Sequence, residues 1–136
     1  MRYLRAFPFL AIVIIAYNLV FVWRGAPPDR ILLQVLASVT LPSGSVWHIT
    51  TADVFIILGL AFLFVEILSA GARTISLINH GLSLLLFLIC LLEFLLVRAC
   101  GNDTFFALMM MTLIDVVAGY TISIRSARRD FAIEKE

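Results

Sequence analysis

The chain has 136 residues, of which 62% are hydrophobic and 14% charged, and its mean hydropathy is +1.08. A soluble domain averages about half apolar and about a quarter charged, and one this small keeps most of its residues near water. The composition therefore excludes an ordinary water-soluble domain, and a net charge of +1 excludes the dense basic face of a nucleic-acid binder.

Four apolar stretches follow one another: Phe7–Trp23, Val54–Ala70, Leu77–Val97 and Phe105–Ile124. A helix rises about 1.5 Å per residue and the hydrocarbon core is about 30 Å thick, so a span takes roughly 17–25 residues. Inside lipid every backbone N–H and C=O must pair within its segment, so each stretch is expected to be helical. The expected fold class is an all-α membrane protein, a four-transmembrane-helix bundle forming a single domain. The first stretch has a rival reading as a secretory signal, with Arg2 and Arg5 before the apolar run. It ends Trp23-Arg24-Gly25-Ala26-Pro27-Pro28, which puts Arg24 and Pro27 where a cleavage site needs small residues, so an uncleaved helix is expected.

Lys and Arg give the orientation. An inside N-terminus collects Arg2, Arg5, Arg73, Arg125, Arg128, Arg129 and Lys135 on one face and leaves Arg24, Arg30 and Arg98 on the other. This split predicts both termini inside (N-in/C-in), with Trp23 and Trp47 at the outer interface and Tyr3 and Tyr120 at the inner one. The tail 125–136 then serves as a basic inner stop signal.

The long connection 24–53 holds Pro27-Pro28, which end the first helix, and Asp29, a fit N-cap for a short helix over Arg30–Leu41. Arg30, Gln34 and Ser38 recur every four residues among apolar neighbours. That spacing predicts a short interfacial helix in the outer loop between helices 1 and 2. Pro42-Ser43-Gly44-Ser45 reads as a turn, and Asp53, after Thr50-Thr51, as the cap of the second long helix.

Ionisable groups inside a span cost about 2.5–3.5 kcal/mol on insertion scales and are functional suspects. Glu66, His80, Glu93 and Asp115 are the four here. Asp115 lies roughly 17 Å down the fourth helix and Glu66 roughly 20 Å down the second, close in depth. His80 enters the third helix near the same level, so Glu66 and His80 are expected to pair, with Asp115 beside them and Arg73 as a further ion-pair partner. Asn79, Ser83, Cys90 and Glu93 fall on one arc of the third helix as a polar seam, with Arg98 or Arg24 as the partner of Glu93. These groups either glue the helices by hydrogen bonds worth about 0.6 kcal/mol each or form a proton or cation path. Both readings stay open.

Other features carry less. Cys90 reads as a small buried hydrophobe and Cys100 as a loop thiol, too few for a disulfide framework. Met109-Met110-Met111 points three ways round a helix and reads as packing. His48 and His80 fall at opposite ends, which excludes a shared haem site. No metal, phosphate-loop or nucleophile–base motif occurs, so no catalytic residue, cofactor or metal is expected.

Val65-Glu66-Ile67-Leu68, Arg73-Thr74, Asn79-His80, Glu93-Phe94-Leu95-Leu96-Val97, Thr104-Phe105-Phe106, Asp115-Val116-Val117-Ala118-Gly119 and Ala127-Arg128-Arg129-Asp130 stand together. As a set the region resembles a group of small four-helix inner-membrane proteins of alphaproteobacteria. The resemblance implies a bacterial inner-membrane location and no activity. The expected function is a non-enzymatic membrane protein, a homo-oligomer or an accessory subunit of a larger membrane complex in contact with the lipid bilayer. The alternative is a small transporter or ion-permeation protein using the buried acids.

Overall fold

The computed structural model describes residues 8–70 and 77–133, with the side chains of 70, 77–80, 123 and 125–133 left aside. Helix α1 covers Leu10–Asn18 and continues as a wider π-turn over Leu19–Trp23. A one-turn helix α2 at Pro28–Ile31 leads into a hairpin of β1, Val35–Thr40, and β2, Val46–Thr50. Helix α3 runs Thr51–Ala70 and α4 runs Leu77–Leu96; a 3₁₀ turn at Arg98–Cys100 precedes α5, Asp103–Ile133.

The long helices alternate in direction. Leu10 lies at Glu66 while Tyr17 lies at Phe55, so α1 and α3 are antiparallel. Phe94 stacks on Phe106 at 5.4 Å, which makes α4 antiparallel to α5. Tyr17 also stacks on Phe105 at 4.9 Å, so α3 and α5 run the same way and α4 carries the chain back between them. Gly59 allows the close approach of α3 to α5: a Cβ there would sit 2.7 Å from Met111 Sδ and 2.8 Å from Leu108 Cδ2. Missing side chains of this kind let helix backbones come together where water supplies no hydrophobic drive.

The expected four-transmembrane bundle is corrected here. Among the described residues two helices are long and apolar enough to cross a membrane, Thr51–Ser69 and Asp103–Ile122. Leu10–Trp23 and Gly81–Leu96 are shorter apolar helices. The second of these is the described apolar part of α4, whose full extent is Leu77–Leu96. The N-in/C-in arrangement was drawn for a bundle of four crossings and loses that basis. Arg2, Arg5, Arg73 and Lys135, on which the charge split partly rested, lie outside the described residues, as does Tyr3. In the tail, α5 stays helical to Ile133.

The fold is also not all-α. The expected interfacial helix over Arg30–Leu41 is helical only to Ile31, and a two-stranded antiparallel sheet follows. Val35, Val39, Thr40, Val46, Trp47, Ile49 and Thr50 are β-branched or aromatic, side chains that suit a pleated surface better than a helix. Pro42-Ser43-Gly44 closes the hairpin: Leu41 N–H donates to the Ser45 carbonyl at 2.8 Å, and Gly44 takes φ +85°. Pro presets the first turn angle, and a residue lacking Cβ takes the left-handed one. A bulge between Val35 and Ala37 shifts the register at the open end.

The junction from β2 to α3 has no loop. Thr50 and Asp53 form a reciprocal cap: the Asp53 carboxylate accepts from Thr50 N–H at 2.8 Å, and Thr50 Oγ1 accepts from Asp53 N–H at 3.3 Å. Asp53 thus caps α3 from inside its first turn, one half of a capping box. Two further N–H groups at this helix start, on Thr51 and Ala52, donate to the carbonyls of Gln34 and Leu32. The short connection between α2 and β1 thereby satisfies donors that a helix N-terminus leaves open.

Candidate functional site: polar joints inside an apolar bundle

The polar residues of the long helices are spent mainly on other helices or on their own backbone. Ser69, Thr112 and Thr121 hydroxyls donate to the carbonyls of Val65, Met109 and Val117. Each satisfies itself within a turn, as a hydroxyl in an apolar setting must.

Glu66 is 6% exposed. Its Oε2 accepts from the backbone N–H of Leu10 at 3.2 Å. Leu10 opens α1, Phe9 offers it no side-chain cap, and the first turn has no acid of its own. The donors at a helix start carry partial positive charge, so a carboxylate from α3 supplies the cap that α1 lacks. Ionised or protonated, the acid can accept this bond.

Near the other end of α1, Asn18 Nδ2 donates to both carboxylate oxygens of Glu93 at 3.0 Å, joining α1 to α4. Asn18 Oδ1 is buried without a hydrogen-bond partner. Asn18 is also the last residue before the π-turn, where the helix widens by one residue per turn. Glu93 therefore meets Asn18, while Arg98, its expected partner, is exposed on the wall of a cleft.

The neighbour of Asn18 in the chain, Tyr17, is fully buried. Its hydroxyl donates to the Ala99 carbonyl at 2.9 Å and accepts from Asn102 Nδ2 at 2.6 Å. Asn102 Nδ2 also donates to the Ala99 carbonyl at 3.0 Å, and Asn102 Oδ1 caps α5 by accepting from Phe105 N–H at 3.0 Å. The ring of Tyr17 lies among Phe21, Phe55 and Phe105 at centroid distances of 4.6–5.4 Å. The tyrosine fits a place with one apolar and one polar side. Cys100 is fully buried in the adjoining 3₁₀ turn, and burial, with Glu93 nearby, pushes its thiol up to about 12. A thiol held there stays protonated at neutral pH.

The remaining expected residues distribute as follows. Asp115 is 6% exposed, on α5. Cys90 is fully buried beside Thr112, and Ser83 is half-buried. The side chains of Asn79 and His80 and all of Arg73 lie outside what is described, so the Glu66–His80 and Glu66–Arg73 pairings do too. Sequence reasoning missed Tyr17, Asn18 and Asn102. Two signals were available: Tyr17-Asn18 interrupts an otherwise apolar run, and Asn102-Asp103-Thr104 before Phe105 is a helix-start pattern.

A cleft of about 320 Å³ opens above this cluster, lined by Phe21, Pro27, Asp29, Arg98, Ala99 and Asn102 among others. Its two charges, Asp29 and Arg98, are both exposed. Among the described residues no group of three or more His, Cys, Asp or Glu side chains could hold a metal ion.

No protein-family model matches the chain, and neither a curated protein nor a solved structure matches it.

Proposed function

We propose that the protein is a non-enzymatic integral membrane protein, an accessory subunit or self-assembling scaffold of a bacterial inner-membrane complex. The observation that carries this reading is where α3 puts its apolar surface. Only 17% of its apolar window is buried within the protein, and Leu58, Leu60, Phe64, Val65 and Leu68 are exposed. The core helix of a soluble domain would bury most of such a window, whereas a helix in lipid has no need to. The bacterial inner membrane follows from the resemblance of Val65 to Asp130 described above.

The scaffold part of the reading rests on how the acids are used. Glu66 caps α1 and Glu93 holds Asn18, so both serve as joints between helices. Tagged protein at its native level, purified from native membranes, tests this. A partner at fixed stoichiometry, or a stable self-oligomer, is the expected outcome. A lone protein that conducts protons or ions after reconstitution in liposomes would overturn it.

A second reading, a small transporter or ion-permeation protein, is favoured by one observation: Glu66 and Asp115 are each 6% exposed within the two helices long enough to cross a membrane. Buried acids at such depth are typical of ion pathways. Asp115→Asn separates the readings, because it keeps the shape and removes the titratable proton. A scaffold assembles with the variant as with the parent; a proton carrier loses its pH-dependent flux.

A further inference from the structure

The hairpin has no counterpart in the joints described above. Nothing in the described chain covers it: every residue from Leu33 to His48 is exposed, including Val35, Leu36, Val39, Leu41, Val46 and Trp47. It lies in the uncharged run Ile31–Ala52, which contains no Asp, Glu, Lys or Arg. Hydrophilic charges such as lysine normally guard the exposed edges of sheets, and here they are missing.

Its two faces differ. Val39 pairs with Trp47 and Ala37 with Ile49, which puts four apolar side chains on one face. Ser38 pairs with His48 and Thr40 with Val46 on the other, where Ser38 Oγ and His48 Nδ1 are 2.9 Å apart. One face is thus apolar with an indole, and the other sets hydroxyl and imidazole groups beside Val46. β2 joins α3 without an intervening residue, and Thr51 N–H and Ala52 N–H are bonded to the chain before β1. The base of the hairpin is therefore fixed at the level where the outward apolar surface of α3 begins. The π-turn that continues α1 ends at this same end of the bundle, and its last residue, Trp23, is 85% exposed. Two exposed indoles at one end of apolar helices mark the depth of the headgroups, where an amphipathic ring has its lowest free energy.

We infer that the hairpin is a membrane-surface element, its Ala37–Val39–Trp47–Ile49 face seated in the headgroup region of the bilayer and its Ser38–His48 face turned to water. The inference rests on the membrane reading above. It differs from the usual amphipathic interfacial helix in pairing only its inner backbone groups across the strands, with the outer edges open to water and headgroups, and in presenting a flat apolar face of two short strands. The absence of charge suits a neutral interface and leaves no like-charge repulsion from anionic lipid.

The chain has two tryptophans, so Trp23→Phe leaves Trp47 as the sole indole. The full-length variant in phosphatidylcholine vesicles with acyl chains brominated near the headgroup, or near the terminal methyl, reports its depth. The expected result is a blue-shifted emission, largest loss with bromine near the headgroup, and protection from aqueous acrylamide. A control carries Trp23→Phe, Trp47→Phe and Phe64→Trp, placing the indole on the exposed face of α3, where the deeper bromines should quench it. If the α3 indole is quenched and Trp47 is not, the hairpin stands in water or beneath another protein, and the inference fails while the membrane reading survives. If neither is quenched, both fail. Face dependence is the second check: in the Trp23→Phe background, Val39→Lys should red-shift Trp47 and relieve its quenching, and Thr40→Lys should leave both unchanged. Equal effects of the two lysines would overturn the assignment of the faces.

Discussion

The Tyr17 joint and the hairpin sort polarity in opposite ways. Around Tyr17, hydroxyl, amide and carboxylate groups are drawn inward and, Asn18 Oδ1 apart, answered, with Asn102 alone serving a carbonyl, a phenol and a helix start. In the hairpin Val39 and Trp47 point out with nothing of the described chain over them. In water the ordering would be reversed, because apolar area gains about 25 cal/mol per Å² on leaving solvent. In lipid that gradient vanishes at the periphery, and what holds helices together is close packing and hydrogen bonds between them. On the membrane reading proposed above, the contrast locates stability in the few polar joints and predicts that the outward apolar surface contributes little to folding.

The most damaging test of that contrast is at Asn102. Asn102→Ala removes the cap of α5 and the donor to both Tyr17 and Ala99, and should cost about 2–3 kcal/mol, read as a fall in the denaturation midpoint in detergent micelles. An unchanged midpoint would show that the joint is ornamental. Next is Glu66. Glu66→Leu strands the Leu10 N–H and should lose about 1–3 kcal/mol, whereas Glu66→Gln, which keeps an acceptor, should recover most of it. Equal losses in the two variants would mean that the carboxylate's charge, not its acceptor oxygen, matters at α1.

Cys100 gives a pH signature. Its thiol is raised from the ordinary 9.0 to about 12 by burial first and by Glu93 second. The folded state therefore holds the proton more tightly than the unfolded chain. The associated stability is complete below pH 9 and is lost as pH rises from there through about 12. In the folded protein a maleimide should leave Cys100 unmodified at neutral pH and label it only on denaturation; rapid labelling of the native protein would contradict its burial. The smallest effect is expected in the hairpin. Leu36→Ser removes an exposed apolar side chain and should shift stability by no more than about 0.5 kcal/mol. A loss as large as that at Glu66 would mean that the hairpin face is covered within the folded protein.

Much of the helical framework was legible in the sequence. α3 and α4 fall where the apolar runs place them, with bounds Thr51–Ala70 and Leu77–Leu96 against expected 54–70 and 77–97. The hairpin was not legible from the feature used to read it. Arg30, Gln34 and Ser38 are four residues apart, and a spacing of four fits a helical face and also one side of a strand, whose period is two. Thr40 and the run Val46–Thr50 break the tie, yet only their pairing across the Pro42-Ser43-Gly44 turn makes them a sheet. The partners of the acids were hidden for another reason. Arg98 was the expected partner of Glu93, which meets Asn18 instead, and the bond of Glu66 to a backbone N–H leaves no mark in residue type.

By itself, then, the sequence determined the apolar character, the approximate helices and the few polar residues within them, because these depend on composition and on local backbone preference. Which of the helices are long enough to cross a membrane also depends on where each one starts and stops, and those ends are set by caps such as Asn102 and Thr50. Only the tertiary structure decided that Tyr17, Asn18 and Asn102 form the joints, that Glu66 caps α1 from a distance of 56 residues, and that the segment after Ile31 is a sheet. Each of those outcomes turns on a hydrogen bond between groups far apart in the chain, and such a bond is specified by the meeting of two elements and by neither alone.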